Sequence, residues 1–303
     1  MSIATPSVEL EAAAARRAQI REITRKSLGS RRNWSRIATL LCVVAVCISL
    51  TPLVALVGYT ITRGLRAISV DFFIHTPTPS GIPGGGVENY IVGTVVIVGI
   101  AAAIAVPIGI ATALFLLERR GRLADLVRFS ADVLSGVPSI AIGIFAFSVL
   151  VEPWHFSGLA GSFALAVLML PIMIRASETA MRSVPSDLWD AGLALGARRG
   201  RVVRSVVLRG AVPGLVTGNL LAVARAVGET APLLFTAAGN TFFTLSPVNA
   251  MGALPLFIYA QGTQPFHDAQ RQAWGAALVL LVLVLLLSVS ARVVAARLNR
   301  RAR

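Results

Sequence analysis

Two charged side chains stand inside an otherwise apolar run. Arg225 and Glu229 lie within Ala211–Phe235. A charge at mid-bilayer costs about 2.5 kcal/mol or more on insertion scales, so such a residue is paired and functional by default. A guanidinium stays ionised and presents a planar fork of donors. That fork matches an oxyanion through paired, charge-assisted hydrogen bonds. The i, i+4 spacing puts Glu229 one turn beyond Arg225 on the same helix face. A carboxylate there steadies the guanidinium and weakens its grip on a bound anion, so that the anion can leave again. A purely structural pair that locks helices together is the other reading. Counted from Ala211, Arg225 lies roughly 20 Å along a helix, near or beyond the midplane. Pro232 weakens the helix just after it. Arg175 and Glu178 form a second set at i, i+3, close to the end of another apolar run. Snorkelling to the water surface competes there with a pathway role. Thr230, Asn219, Thr217 and Ser139 offer neutral hydrogen bonds, with structural roles ahead.

The second constellation is a basic, glycine-studded stretch from Leu188 to Leu208. Pro185 and Asp187 begin a helix, with Asp187 as N-cap and Asp190 at N3. Leu188, Ala191 and Leu195 recur at helical spacing. Gly196 then breaks the helix or lets another backbone approach closely. Arg199–Leu208 is basic on one side and valine-rich on the other, and Pro213 and Gly214 start the next apolar run. The pattern predicts a helix–turn–helix folded flat under a membrane, placed to touch a cytoplasmic partner.

Other chemistries are poorly supplied. Of the 28 basic residues only Lys26 is a lysine, and no Gly-x4-Gly-Lys-Ser/Thr run surrounds it. A P-loop route to ATP hydrolysis is therefore excluded on this chain. Cys42 and Cys47 are five apart in the first apolar run and read as buried apolar filler. His75, His155 and His267 lie far apart without spaced ligand partners, so no metal site is expected.

The elements that must position these residues are apolar helices. The 303 residues are 55% hydrophobic and 14% charged, with mean hydropathy +0.76. Soluble domains average about 25% charged, so the chain reads as a polytopic membrane protein. Its net charge of +14 sits between apolar runs, where it sets orientation rather than binding nucleic acid. Six spans of roughly 20 residues are expected: Ile37–Ile61; Tyr90–Leu117, kinked at Pro107; Val133–Val151, opening on Ser135-Gly-Val-Pro138; Phe156–Ala176, interrupted at Pro171; Ala211–Phe235; and Ala273–Ala291. Ala250–Ala260 is too short to cross and is expected as a helix lying at the outer surface. No cleavable signal is expected, because the first apolar run is too long. Gly93–Ala105 and Leu159–Ala166 suit close helix packing, unless they merely reflect composition.

Basic residues stay on the cytoplasmic side. Of the 28, 23 fall in the tail, the 2–3 loop, the 4–5 loop and the C-terminus, so both termini are expected inside. The chain then divides into a basic N-terminal tail (1–36), a six-span domain (37–291) with its loop at about 185–210, and a basic C-terminus (292–303). The outer loop Thr76–Asn89 is either an inert linker or a docking surface for an external partner.

The loop resembles the coupling motif of ABC-importer permeases, Glu-Ala-Ala-x3-Gly-x9-Ile-x-Leu-Pro. Here it stands as Asp190-Ala191-Gly192-x3-Gly196-x9-Val206-x-Leu208-Arg209. Gly for Ala, Val for Ile and Arg for Pro are departures. Further runs are similar to the PstA-type subunit of phosphate-specific importers: Gly136-Val-Pro138-Ser, Leu170-Pro-Ile-Met-Ile-Arg175, Ala222–Pro232 (AVARAVGETAP) followed by Leu233-Leu234-Phe235, and Pro83-Gly-Gly-Gly86. The resemblance covers roughly 35–295. It implies an all-α, type I ABC importer permease fold of six transmembrane helices in the bacterial cytoplasmic membrane. It implies that Leu188, Asp190, Ala191, Gly192, Leu195 and Gly196 seat a coupling helix on an ATPase, and that Arg225, Glu229, Arg175 and Glu178 serve the substrate pathway. The implied partners are a PstC-type second permease, a PstB-type ATP-binding dimer carrying ATP and Mg, and a PstS-type extracytoplasmic phosphate-binding protein. The chain itself needs no cofactor and is not an enzyme. The rivals are a permease for phosphonate, sulfate or molybdate and, from another class, an ATP-independent channel, which has no need of the 188–208 segment, or a membrane enzyme.

Overall fold

The computed structural model describes residues 6–79, 82 and 84–301, with side chains at 16, 17, 34–79, 82 and 84–297. Pro83 of the expected outer-loop motif lies outside the described residues. The architecture is helical, as apolar runs in lipid require, because their backbone groups must bond within their own segment. Among the described residues the extended pairings are two isolated bridges, Pro77 with Gly85 and Ala238 with Met251.

The chain forms two compact units, Met1–Tyr59 and Thr60–Arg303. The first consists of helix α1 (Pro6–Gly64), which runs on past the boundary with Pro52 inside it. From Pro6 onward the polar tail and the first span are thus continuous helix. Cys42 and Cys47 are exposed and unpaired, not buried as expected. The physical reason is that the apolar residues of this segment surround the helix: Leu40, Leu41, Val43 and Val46, which point to different sides, are all exposed. An all-round apolar surface is what lipid accepts.

The second unit contains α2 (Val70–Ile74), α3 (Glu88–Glu118), α4 (Arg122–Gly136), α5 (Ser139–Ala146), α6 (Gly158–Arg182), α7 (Ser186–Ala194), α8 (Arg199–Val202), α9 (Leu208–Ala226), α10 (Ala231–Thr236), α11 (Leu254–Gly262) and α12 (His267–Arg301). A π-helical turn, Phe147–Val151, extends α5, and another, Val203–Val207, joins α8 to α9. Arg199–Ala226 is therefore one helical run, and Pro213 lies inside it rather than opening it.

Five described helices are long and apolar enough to cross a bilayer: Trp34–Gly64, α3, α6, Arg199–Ala226 and α12 from His267 to Arg297. The third expected span is different. α4 and α5 meet at a bend of 103° and supply a sixth crossing only as a broken pair. Proline disfavours the helical region for the residue before it. Val137 accordingly takes φ −70°, ψ 130°, and Pro138 follows at φ −58°, ψ 135°. The apolar run was continuous in sequence, but its first part belongs to an amphipathic helix that begins at Arg122.

α6 is the element around which the second unit packs. Its apolar window is 56% buried, against 33% for α3 and 11% for α12. It was expected to be interrupted at Pro171 and to stop by Ala176. Instead it runs unbroken to Arg182 with Pro171 buried inside. Membrane helices tolerate proline where neighbouring helices and local adjustment satisfy the freed carbonyl. Ser157 caps its start, accepting from the amide of Ala160 at 3.1 Å. The core beside it holds Ile97, Leu165, Met169, Met173 and Leu233.

Small residues set the helix spacing. A Cβ built on Gly214 or Gly218 of α9 would lie 2.8 Å or 2.7 Å from the methyl of Ala180 or Ala176 on α6. Facing small pairs four apart let two backbones approach, so dispersion does the work that water does elsewhere. Gly93 of α3 meets the Gly252 carbonyl oxygen, which would lie 1.9 Å from an added Cβ.

The short helix expected at the outer surface is α11, whose second half is exposed at Tyr259, Ala260 and Gly262 while its first turn packs inward. Leu254, Leu256 and Phe257 are buried, and the Phe257 ring lies 4.8 Å from that of Tyr90 on α3. The amide of Leu254 donates to Thr94 Oγ1 at 2.8 Å. A segment apolar on every side is better buried than spread on an interface.

Candidate functional site

The fifth expected span is also broken. α9 ends at Ala226 and α10 begins at Ala231, with Pro232 in its first turn. Proline suits the first helical turn, where its missing N–H costs nothing. Val227–Thr230 is a hydrogen-bonded turn between the two helices, so Glu229 is off the helix and the expected i, i+4 alignment with Arg225 fails. Arg225 sits in the last turn of α9, where the negative end of the helix dipole favours a cation. It is exposed, and Glu229 is half-buried. Among the described residues, neither side chain has an ion pair or hydrogen bond. Leu221, Arg225 and Gly228 make an open facet, while Ala222, Val223, Ala224 and Ala226 are buried.

Arg175 and Glu178 lie in a quite different setting. Glu178 is buried on α6 and receives three guanidinium groups: Arg128 Nε at 3.2 Å, Arg182 Nη2 at 2.8 Å and Arg175 Nη1 at 3.5 Å. Arg175 is gripped through both Nε and Nη2 by the carboxylate of Asp132 on α4. Arg128 also donates to the Leu116 carbonyl at 2.8 Å and approaches Asp125 at 3.4 Å. Three arginines and three carboxylates thus tie the end of α3, α4 and α6 together in a charge-balanced knot. Arg128, Asp125 and Asp132 were missed from the sequence, where they read as loop. The available signal was their i, i+3, i+7 spacing, which puts them on one face of an amphipathic helix.

The neutral candidates are mostly committed to structure. Asn219 donates to the Leu215 carbonyl at 2.8 Å and to Ser177 Oγ at 3.2 Å, with its Oδ1 buried and unpartnered. Thr217 donates to the Pro213 carbonyl at 2.8 Å. Ser139 opens α5, and Thr230 precedes α10 without a capping hydrogen bond.

In the loop, the N-cap is Pro185 rather than Asp187, and Asp187 lies in the first turn of α7. Asp190 accordingly sits beyond the N3 position. The helix end follows from Gly196, at φ +79°. Its amide donates to Leu193 O at 2.9 Å, and the Ala197 amide donates to Gly192 O at 3.2 Å. These two bonds make a Schellman cap, which requires a left-handed residue at that position. Gly192 turns inward: an added Cβ would lie 3.1 Å from Val202 Cγ2. Arg199 stacks over Trp189 at 5.8 Å, tying α8 back to α7. α7 itself buries no residue: Leu188, Asp190, Ala191 and Leu195 are exposed, Leu195 at 89%.

Comparison with known proteins identifies the family and the fold. Residues 105–303 match the model of the family described as binding-protein-dependent transport system inner membrane component. The chain is 37% identical to the phosphate transport system permease protein PstA of Yersinia pestis, covering 92% of this chain and 96% of that one. It is 38% identical to PstA of Haemophilus influenzae over 86% and 94% of the two chains. For PstA 1 of Mycobacterium tuberculosis the figures are 37%, 90% and 91%. Among solved structures, the inward-facing MetNI methionine ABC transporter matches with TM-score 0.58 at 22% identity, over 69% of this chain and 94% of that one. A bacterial alginate ABC transporter matches with TM-score 0.59 at 14% identity, over 86% and 93%. The fold is that of type I ABC importer permeases, and this multi-pass membrane chain belongs to the PstA family of transport permeases.

Proposed function

We propose that this chain is one half of the translocation pathway of an ATP-driven importer of inorganic phosphate. The observation that carries the reading is Arg225. It is an exposed guanidinium without an ion pair among the described residues, at the end of a spanning helix and beside a four-residue break between helices. Non-helical backbone at membrane depth is tolerated only inside protein or along a water-filled cavity. The Leu221–Arg225–Gly228 facet is open in this single chain and faces a second, PstC-type permease. Arg225 binds the phosphate oxygens in paired fashion. Glu229, on the turn next to it, closes on the guanidinium as phosphate leaves. Arg175 and Glu178 border the pathway's cytoplasmic end, where Asp132 and Glu178 hold the Arg175 guanidinium back from binding the anion outright.

The energy comes from another polypeptide. α7 presents Leu188, Leu193 and Leu195 to the cytoplasm, and Asp190, Ala191, Gly192 and Gly196 shape the helix that presents them. Exposed apolar groups on so short a loop suit a groove on a PstB-type ATPase, which holds ATP and Mg. Closure of that ATPase dimer drives the spans from inward-open to outward-open. A PstS-type protein then delivers phosphate from outside. Both termini are cytoplasmic, this chain performs no catalysis itself, and the membrane is the bacterial cytoplasmic one. The 1–36 tail and 292–303 anchor that orientation.

The test is uptake of labelled phosphate by the assembled transporter with Arg225→Gln. Uptake falls to background while the complex still assembles in the membrane. Arg225→Lys keeps the charge but loses the fork, and retains only a small part. Normal phosphate uptake by Arg225→Gln refutes the assignment. Competition by sulfate, molybdate or phosphonate at equal concentration would move the substrate to another oxyanion.

A further inference from the structure

We propose that a groove of arginines where the Arg199–Ala226 run enters the bilayer holds the phosphate of an anionic phospholipid. The groove is a cavity of about 520 Å³ lined by Arg198, Gly200, Arg201, Arg204, Ser205 and Arg209. Among the described residues, none of these four guanidinium groups has a carboxylate, hydrogen-bond or ring partner. The other arginines nearby are occupied: Arg128, Arg175 and Arg182 surround Glu178, and Arg199 lies over Trp189. Four like charges lining one concavity repel one another and focus a positive field into it. Such a field is relieved by a bound anion.

The placement selects the anion's source. Arg201, Arg204, Ser205 and Arg209 share the exposed side of the run, while Val202, Val203 and Val207 are buried on the other. From Arg199 to Arg209 the helix rises roughly 15 Å. Beyond Arg209 it is free of charge until Arg225. The groove therefore climbs from water to the depth at which a bilayer places its phosphates. Basic pockets at that level recognise anionic headgroups. A protein docking on α7 meets exposed leucines instead, a different chemistry on a different element. The headgroup's acyl chains continue along the apolar surface above Arg209.

The experiment uses the complete transporter purified from nanodiscs of phosphatidylcholine with or without phosphatidylglycerol. Native mass spectrometry counts retained phosphatidylglycerol. The wild type retains it, and retention survives an excess of inorganic phosphate. Arg201→Gln, Arg204→Gln and Arg209→Gln each weaken retention about fivefold, the effect of one basic residue near an anionic surface. Arg204→Lys, which keeps the charge, retains the lipid and shows that a loss in Arg204→Gln is not misfolding. Three results overturn the proposal: Gln variants that retain phosphatidylglycerol like the wild type, displacement of the lipid by inorganic phosphate, or variants that lose the ATPase subunit while keeping the lipid.

Discussion

Arg128 on α4 reaches Glu178 on α6 at 3.2 Å, and the carboxylate it meets is 6% exposed. The same carboxylate takes Arg182 one turn further along α6 and Arg175 from the turn before. One buried acid therefore neutralises cations from two helices. Removing it takes from Arg128, the least exposed of the three at 24%, its buried partner, and losing a hydrogen bond to a charged group there costs about 1.5–3 kcal/mol. Arg182 is 54% exposed, so water replaces its partner and its loss costs under about 1 kcal/mol. Thermal unfolding of the detergent-solubilised complex is expected to rank Glu178→Ala below Arg128→Ala, and Arg128→Ala below Arg182→Ala. Equal midpoints for all three would mean the knot does not hold α4 to α6.

This knot marks where sequence reasoning ran out. Apolar runs identified α3, α6, α12 and the 199–226 crossing, because hydropathy over 20 residues directly reports transfer into lipid. Helix breaks were less legible. Pro138 and the Val227–Thr230 gap interrupt helices, while Pro52, Pro107, Pro171 and Pro213 sit inside them. Whether a proline breaks a membrane helix depends on neighbours that can satisfy the freed carbonyl, and those neighbours are tertiary. Arg225 was legible because a charge in an apolar run is conspicuous. Arg128 was not, because it lies on a polar helix whose partner is 50 residues away.

Gly93 gives a test of the close approach between α3 and the strap before α11. Its missing side chain makes room for the Gly252 carbonyl, 1.9 Å from where a Cβ would stand. Backbone cannot yield as a flexible side chain can. Gly93→Ala is expected to cost about 2 kcal/mol, toward the upper range for overpacking. Gly99→Ala on the same helix meets nothing within 4 Å and gains helix propensity of up to about 1 kcal/mol. Opposite shifts in thermal midpoint support the packing; a neutral Gly93→Ala contradicts it.

The α6–α9 seam predicts a functional rather than a merely structural loss. A Cβ added to Gly218 would lie 2.7 Å from the Ala176 methyl, and the Asn219–Ser177 hydrogen bond of 3.2 Å lies in the same seam. Gly218→Leu pushes the helices apart and tilts α9, at whose end Arg225 stands. Phosphate uptake is expected to fall at least tenfold, while Gly218→Ala, whose single methyl would stand 2.7 Å from the Ala176 methyl and must shift the helices by less than a leucine does, falls less. Shrinking the partner by Ala176→Gly should restore part of the Gly218→Ala loss. Failure of that rescue would separate the seam from the anion path.

The last test concerns force transmission through α7. Gly196 is left-handed at φ +79°, and its added Cβ would meet open space. Any cost of Gly196→Ala is therefore backbone strain of roughly 1–2 kcal/mol, with no steric clash to confuse it. The substitution frays the cap that ends α7 and lets Leu195 wander. Leu195→Asp attacks the same contact differently, by leaving the cap intact and replacing an exposed apolar side chain with a charge. Both variants are expected to bind phosphate-loaded partner normally and yet lose ATP-dependent uptake, with the ATPase either dissociating or turning over without transport. Asn tolerates left-handed backbone better than Ala does, so Gly196→Asn should keep more uptake than Gly196→Ala. If Ala and Asn are equally harmful, the cap geometry is not what the ATPase reads. If Leu195→Asp couples normally, α7 is not the point where force enters the membrane domain.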